Sequence, residues 1–241
     1  LSIYSMDEAE HDRVTRIPGS LGKTLRAAGW LRADGVPVIV KAPIMKGLGD
    51  GYRRVIEFAR EIGAEYRFDP SLVMRNDLDD GPLQHRLSRR DLAGLCVDPD
   101  LGLAISPAAG APPDPDGPIC STARRLALIS ARGLVFPCSQ RFPPAGDLRR
   151  QSFAEIWERS PLLMRLRNIT ARDLPTCSGC HNNSFCGRCS LDALFEDGDF
   201  FGPSDWACTM AESRQRAHTG DEGLDDGDGK ERLTYSRSCD H

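Results

Sequence analysis

The sequence lacks a long hydrophobic run, an excess of basic residues and a recognisable signal peptide. Its longest apolar stretch, VPVIV at 36–40, is far too short to cross a bilayer, so we expect no membrane association. Among 241 residues, 31 Lys and Arg stand against 35 Asp and Glu, and a formal net charge of -4 gives no basic surface for nucleic acid. These absences predict a cytoplasmic protein whose partners are neither nucleic acid nor membrane.

Cysteine, by contrast, is abundant. The chain has nine cysteines, and seven of them lie between positions 120 and 208. A disulfide scaffold usually comes with a secretory signal and a small domain, and neither is seen, so the density favours metal ligation. The seven are Cys120, Cys138, Cys177, Cys180, Cys186, Cys189 and Cys208. Of the other two, Cys96 ends an apolar helix face and is interpreted as a plain buried cysteine, whereas Cys239 lies in a polar tail and is interpreted as a free thiol.

Two regions of different composition flank a Pro- and Gly-rich stretch at 98–119, which is interpreted as a linker. Residues 1–97 alternate strand and helix patterns, with strands in LSIYSM, VPVIVKAPI and AEYRFDPSL, which predicts parallel strands joined by right-handed crossovers. Residues 120–217 are predicted to form a small cysteine-rich α+β domain, and residues 218–241 to form a disordered polar tail. The predicted fold class is therefore α/β, followed by a small α+β domain.

Local signals sharpen this outline. Ser88 is a plausible N-cap for the helix in LSRRDLAGLC, and SFAE at 152–155 is a capping box. Ser160 followed by Pro161 can cap and start the next helix. In LALISARGLVFPC, two short apolar strands surround Gly133, which predicts a hairpin whose turn needs a positive φ.

Two CxxC pairs, at 177–180 and 186–189, are separated by a short polar segment. Soft thiolates gathered on turns suit an iron–sulfur cluster, and the same pairs are standard donors to a structural zinc ion. One zinc held by both pairs would leave the other three cysteines of the set unexplained. His181, between the pairs, is expected to be a solvated loop residue rather than a ligand.

The complete order C…GxxxxC…CxxCx5C…C…C resembles the SPASM domain, the C-terminal extension of many radical S-adenosylmethionine (radical SAM) enzymes. The flanking text agrees over about residues 120–212, in LISARGLVFPC, SFAEIWERSPLLMRLR, LPTCSGC and ALFEDGDFFGPSDWAC. This sequence differs from the commoner family pattern in one spacing: two residues rather than three separate Cys186 from Cys189.

In SPASM proteins the cysteines interleave into two auxiliary [4Fe–4S] clusters, so the resemblance implies two ligand sets. A far set would comprise Cys177, Cys180, Cys186 and Cys208, and a near set Cys120, Cys138 and Cys189. The near set is one ligand short; Cys96 or a non-cysteine group could complete it, or an open iron could bind substrate. The resemblance further predicts that the Cys189 sulfur lies nearer Cys120 and Cys138 than Cys177.

Residues 1–97 are similar to the last three strands of a radical SAM (β/α) barrel, which implies a partial barrel ahead of the SPASM domain. Ser5, at the end of the fourth strand, and Lys41, on the fifth, match positions that often meet the amino acid moiety of S-adenosylmethionine; solvated strand-end residues are the alternative. The family's CxxxCxxC loop, which holds the third [4Fe–4S] cluster, does not occur in this sequence. We expect that loop upstream of Leu1, so that S-adenosylmethionine and the third cluster would be bound only in an intact enzyme.

The resemblance implies the iron–sulfur part of a radical SAM enzyme that oxidatively modifies a peptide or protein side chain, with an electron donor as a further partner. In the intact enzyme a 5′-deoxyadenosyl radical would take hydrogen from the substrate, and the auxiliary clusters would accept the electron or hold the substrate. Two alternatives stay open: a truncated, non-catalytic iron–sulfur binding chain, and a zinc-stabilised interaction module. Whether the chain is itself an enzyme, which substrate it serves and which bond it forms do not follow from these residues.

Overall fold

A computed structural model describes residues 1–103 and 114–220. These residues form two compact units, one made of Leu1–Val73 with the described part of Asp80–Ala104, the other of Met74–Asp79 with the described part of Ile105–His241. Helices predominate over strands, and the mixed α/β class predicted from the sequence is confirmed. In the two described ranges, no helix is both long enough and apolar enough to cross a membrane.

The first unit alternates helices with short parallel strands. Its elements are α1 Glu8–Thr15, α2 Ser20–Ala33, β1 Ile39–Pro43, α3 Tyr52–Glu61, β2 Glu65–Asp69 and α4 Arg89–Cys96, with a 3₁₀ turn at Gly81–His85. β1 and β2 pair in parallel, from Ile39 opposite Glu65 to Pro43 opposite Asp69. The strands predicted in VPVIVKAPI and AEYRFDPSL are thus confirmed, with a helix between them.

The strand predicted in LSIYSM is only an isolated parallel bridge between Ser2 and Lys41. The Ile3 N–H donates to the Lys41 carbonyl at 3.0 Å, and the Ile3 side chain is fully buried. The chain then leaves the sheet because Asp7 already caps α1, accepting a hydrogen bond from the Glu10 N–H. Too few residues remain for a continuous ladder.

The core of the first unit lies between the strands and α3. On β1 the buried Val40 and Ala42 alternate with the exposed Lys41, as a strand with one covered face requires. The core extends to Leu101 and Leu103, so the chain as far as 103 packs with the first unit. The sequence-based bounds 1–97, 98–119, 120–217 and 218–241 stay a prediction, and residues 104–113 and 221–241 lie outside the described residues.

The second unit combines a small antiparallel sheet with five helices along its described part. Its elements are β3 Leu128–Ile129, β4 Leu134–Phe136, β5 Gly146–Asp147, α5 Phe153–Arg159, α6 Pro161–Arg167, α7 Pro175–Ser178, α8 Ser190–Asp197 and α9 Asp205–Thr219, with 3₁₀ turns at Ala171–Asp173 and Asn183–Phe185. The strand order is β3-β4-β5. The predicted hairpin is confirmed, and Gly133 takes a φ of 76° in its turn.

Most of the helix caps predicted from the sequence are confirmed by the structure. Ser88 caps α4 through the Asp91 N–H, and Ser152 with Glu155 forms the predicted capping box on α5. Pro161 begins α6 as expected, but the side chain of Ser160 makes no capping hydrogen bond. These ends could be predicted because each depends on residues within one helical turn.

The main hydrophobic cluster of the second unit is much smaller than that of the first. It is formed by Ala123, Val135, Ile156 and Leu163, with a few partly buried neighbours. Small cores of this kind usually need a further source of stability, such as bound metal.

Gly146 provides a test of packing in this cluster. A Cβ at this position would lie 2.5 Å from Cγ1, 2.7 Å from Cδ1 and 2.9 Å from Cγ2 of Ile156, which is 1% exposed. The branched, buried Ile156 has little freedom to retreat, so Gly146→Ala should lower stability by about 1–3 kcal/mol. Thermal unfolding followed by circular dichroism measures the loss. Gly94→Ala on α4 is the control, because no atom lies within 4 Å of its added Cβ; equal midpoints for the two variants would contradict the prediction.

A second test concerns the buried Asp98 of the first unit. The Tyr52 hydroxyl donates to Asp98 Oδ2 at 2.7 Å, and Arg53 Nη2 lies 2.7 Å from the same oxygen. The hydrogen bond from Tyr52 is the main cause that holds the pKa of Asp98 below its usual value, while burial raises the pKa of Tyr52 to about 12.

Because the folded pKa of Asp98 is depressed, the stabilisation is present above the usual carboxyl pKa of about 4 and is lost as pH falls through the lowered value. Tyr52→Phe should therefore reduce the melting temperature more at about pH 7 than at about pH 3. Tyr66→Phe, whose hydroxyl accepts from an exposed Arg60, is the control. A reduction by Tyr52→Phe that does not depend on pH would count against the prediction.

Candidate metal centres

Four of the seven clustered cysteines line one open cavity in the second unit, with a volume of about 480 Å³. They are Cys177, Cys180, Cys186 and Cys208, and together they are called the far set. Three come from a single segment of tight turns, and the fourth comes from the first turn of α9.

The turns of this segment explain how three thiols reach one cavity. Pro175 begins the short helix α7, which carries Cys177. The Cys180 N–H donates to the Cys177 carbonyl at 3.2 Å, and the Cys186 N–H donates to the Asn183 carbonyl at 3.0 Å. Asn183 Nδ2 donates to the Cys177 carbonyl at 3.0 Å and ties the two turns together. Soft ligands held on successive turns of this type are typical of iron–sulfur and zinc sites.

The thiols of the far set also influence one another's pKa values. Burial raises the pKa of Cys208 to about 12, and the neighbouring Cys186, Cys177 and Cys180 add to the rise. The pKa of Cys186 is raised too, chiefly by burial, while the Arg214 guanidinium opposes the rise. Thiols bind metals as thiolates, so loading of this site must release protons.

The other three cysteines line a second cavity, of about 30 Å³. Cys120 precedes β3, Cys138 follows β4, and Cys189 is the N-cap residue of α8; these three are called the near set. Cys189 is only three residues from Cys186, yet it lines the near cavity and not the far one. The seven cysteines therefore divide four and three, although the ligand sets themselves stay a prediction.

Burial also dominates the near set. It raises the pKa of Cys138, and a hydrogen bond from the Thr122 hydroxyl to the sulfur partly opposes this. Burial raises the pKa of Cys189 as well, against hydrogen bonds from the backbone N–H groups of Asp192 and Leu191. The first turn of α8 thus points its free N–H groups at the Cys189 sulfur.

Sequence reasoning missed a charged pair beside the near set. Arg141 Nη1 lies 2.7 Å from Asp192 Oδ1, and the two side chains are 7% and 12% exposed. Asp192 also acts on the thiols of Cys138 and Cys189. The available signal was the position of Asp192 three residues after Cys189, but an acidic residue in a first helical turn is ordinary.

The predicted residues of the first unit lie in different environments. Ser5 is buried, donates to Glu10 Oε2 at 2.8 Å and accepts from the Asp7 N–H at 3.0 Å. Lys41 is exposed in the middle of β1.

The remaining candidates are Cys96, His181 and Cys239. Cys96 is buried in the first unit, and His181 is exposed beside the far set, both as expected. Cys239 lies outside the described residues.

The donor chemistry of both sets fits a thiophilic centre, because every candidate ligand is a thiol. The far cavity has room for a centre of several atoms as it stands, whereas the near cavity must widen around anything larger than a single ion. Within residues 1–103 and 114–220, no three His, Cys, Asp or Glu side chains are grouped as they would be around a single metal ion.

Comparison with known proteins points to the same region of the chain. The SPASM family model, described as an iron–sulfur cluster-binding domain, matches residues 120–181. This range holds Cys120, Cys138, Cys177 and Cys180.

Similarity to curated proteins extends over most of the chain. An AdoMet-dependent heme synthase from Nitratidesulfovibrio vulgaris is 21% identical over 234 residues, covering 83% of this chain and 61% of the relative. A PqqA peptide cyclase from Xanthomonas campestris pv. campestris is 30% identical over 217 residues, covering 83% of this chain and 56% of the relative. An AdoMet-dependent heme synthase from Methanosarcina barkeri is 25% identical over 227 residues, which cover 83% of this chain and 64% of the relative.

The chain thus spans about three fifths of the length of the curated relatives it matches. Its cysteine-rich region is matched by an iron–sulfur cluster-binding domain, and its relatives are radical SAM/SPASM proteins. The resemblance to the radical SAM/SPASM family that the cysteine order indicated is confirmed.

Proposed function

We propose that this chain is the cluster-binding part of a radical SAM enzyme that oxidatively modifies a peptide or protein side chain. The observation that carries the proposal is the division of seven cysteines between two cavities, with Cys189 separated from its neighbour Cys186. A single zinc on the two CxxC pairs requires Cys186 and Cys189 on one centre. Two centres sharing one short segment account for all seven cysteines.

The far set would hold one [4Fe–4S] cluster through four thiolates, and the near set would hold a second through three. Clusters of this kind supply electron transfer or a coordination site for substrate. The protein's own contribution is to bury the thiols, orient them on turns and supply N–H and O–H donors to the sulfurs. Thr122 and the first turn of α8 provide such donors at the near set.

The first unit would be the last part of a radical SAM barrel, placed ahead of the SPASM domain. The parallel pairing of β1 with β2, and the bridge from Ser2 to Lys41, support this assignment. We assign Ser5 and Lys41 to contact with the amino acid moiety of S-adenosylmethionine. This role, the third [4Fe–4S] cluster and an electron donor all belong to the intact enzyme, which we place in the cytoplasm.

A peptide substrate is favoured by the relatives named as PqqA peptide cyclases, which include the 30% identical match. A second candidate is heme synthesis, because relatives of similar coverage carry that name at 21% and 25% identity. The higher identity leads us to place the peptide substrate first.

The metal content of the chain tests the proposal directly. Anaerobically purified protein should be brown and should carry iron and acid-labile sulfide equivalent to two four-iron clusters, because both sets consist of soft thiolates. Elemental analysis together with sulfide determination gives the answer. A colourless protein with one zinc per chain would instead establish the zinc-stabilised module.

Single substitutions test the division into two sets. Cys208→Ala should reduce the iron content by up to about half, through the far cluster, and Cys189→Ala should do so through the near cluster, since each removes one ligand of a different centre. Electron paramagnetic resonance of the reduced protein should lose a different component in each variant. Cys239→Ala, in neither set, is the control. Loss of the same component in both variants would refute the division.

A further inference from the structure

Asn182 is a buried polar residue in the wall of the far cavity. It lies between Cys180 and Cys186 in the chain and lines the cavity together with these two thiols. The residue is 8% exposed, and its buried Oδ1 has no hydrogen-bond partner within the described part of the chain. A buried carboxamide oxygen without a partner costs free energy, so its presence in this wall calls for a specific cause.

The local turn does not account for this side chain. Asn182 is the N-cap residue of the 3₁₀ turn Asn183–Phe185, and asparagine at such a position usually accepts a hydrogen bond from a backbone N–H. Here its backbone carbonyl accepts from the Phe185 N–H at 3.0 Å, but its side chain makes no capping hydrogen bond. The turn therefore uses the backbone of Asn182 and leaves the carboxamide for another partner.

The other neutral polar side chains along this wall, apart from the thiols, are already committed. Ser178, Asn183 and Ser204 line the cavity, and the side chain of each is hydrogen-bonded to a backbone group. Arg188, a cation in the same wall, donates to two backbone carbonyls. These contacts set the carboxamide of Asn182 apart from its neighbours in the wall.

The cluster proposed for this cavity fits the unused hydrogen-bonding capacity of Asn182. Sulfide and thiolate sulfurs accept hydrogen bonds, and a carboxamide carries two N–H donors. A rotation of 180° about the last side-chain bond exchanges its oxygen and nitrogen, so the N–H groups can be presented to the cavity without a change of shape. The cavity, of about 480 Å³, has room for a centre of several atoms beside this residue.

We propose that Asn182 donates a hydrogen bond to a sulfur atom of the far cluster and so stabilises its reduced form. Reduction adds negative charge to a cluster, and a donor to its sulfurs therefore stabilises the reduced state more than the oxidised one. The inference rests on the proposed iron–sulfur function and adds to it a residue that sets the reduction potential of one centre.

Replacement of the donor should change that potential. Asn182→Leu keeps a side chain of similar size and should make one-electron reduction of the far cluster about tenfold less favourable, which is a shift of about 59 mV to lower potential. A redox titration with dithionite measures the shift, followed by the paramagnetic resonance component that Cys208→Ala removes. Ser178→Ala is the control, because it also removes a polar group from the wall, but one that donates to a backbone carbonyl, and it should leave the potential unchanged.

A second variant and a spectroscopic signature separate this role from a structural one. Asn182→Asp keeps the shape of the side chain but, when ionised, has no donor, so it should lower the potential at least as far as Asn182→Leu. Wild-type protein grown with asparagine labelled with ¹⁵N in the side-chain amide should show a nitrogen coupling to the reduced far cluster in pulsed paramagnetic resonance. Both variants should lose that coupling, whereas Ser178→Ala should keep it.

Iron-loaded wild-type protein without the nitrogen coupling would overturn the proposal, whether or not the variants load iron. Equal potentials in wild type and Asn182→Leu would also overturn it, as would an equal shift in Ser178→Ala, and the partner of Asn182 would then be solvent. Wild-type protein without iron and sulfide would instead overturn the proposed function, so the two failures are distinguishable.

Discussion

The position of Cys189 at the N-cap of α8 is the constraint on which the arrangement of the thiols depends. Cys186 and Cys189 both have extended backbone conformations, and their side chains line different cavities. Arg188, between them, is held by the Gly202 carbonyl at 2.6 Å and the Ser190 hydroxyl at 2.8 Å. The Cys189 side chain lines the near cavity rather than the far one, and N–H groups of the first turn of α8 donate to its sulfur.

Burial also raises the pKa values of several of these thiols. In the absence of metal, the raised pKa values of Cys186, Cys189 and Cys208 keep them protonated at neutral pH. Metal binding must replace these protons, so assembly of the centres and stability of the second unit are linked to pH. This linkage matters here because the hydrophobic cluster of the unit is small. The first unit, with its larger core, has no comparable need.

Features set by neighbouring residues were predictable from the sequence, whereas those set by distant residues were not. The apolar face of α3 and the capping box at Ser152 follow from spacing within a turn or two. The first strand was overestimated because the cap at Asp7 competes with it. Asp192 escaped notice because its partner Arg141 is 51 residues away, a separation that no periodicity records. The division of the cysteines came from family resemblance, since spacing alone also suits a single zinc.

The short path between Cys186 and Cys189 limits the distance between the two sets of cysteines. Three residues of extended chain span at most about 11 Å, so the Cα atoms that anchor the two sets are never farther apart than that. The backbone acts as a tether that sets an upper limit on this separation, whatever the rest of the chain does. Centres bound to the two sets would remain neighbours joined by a continuous covalent path.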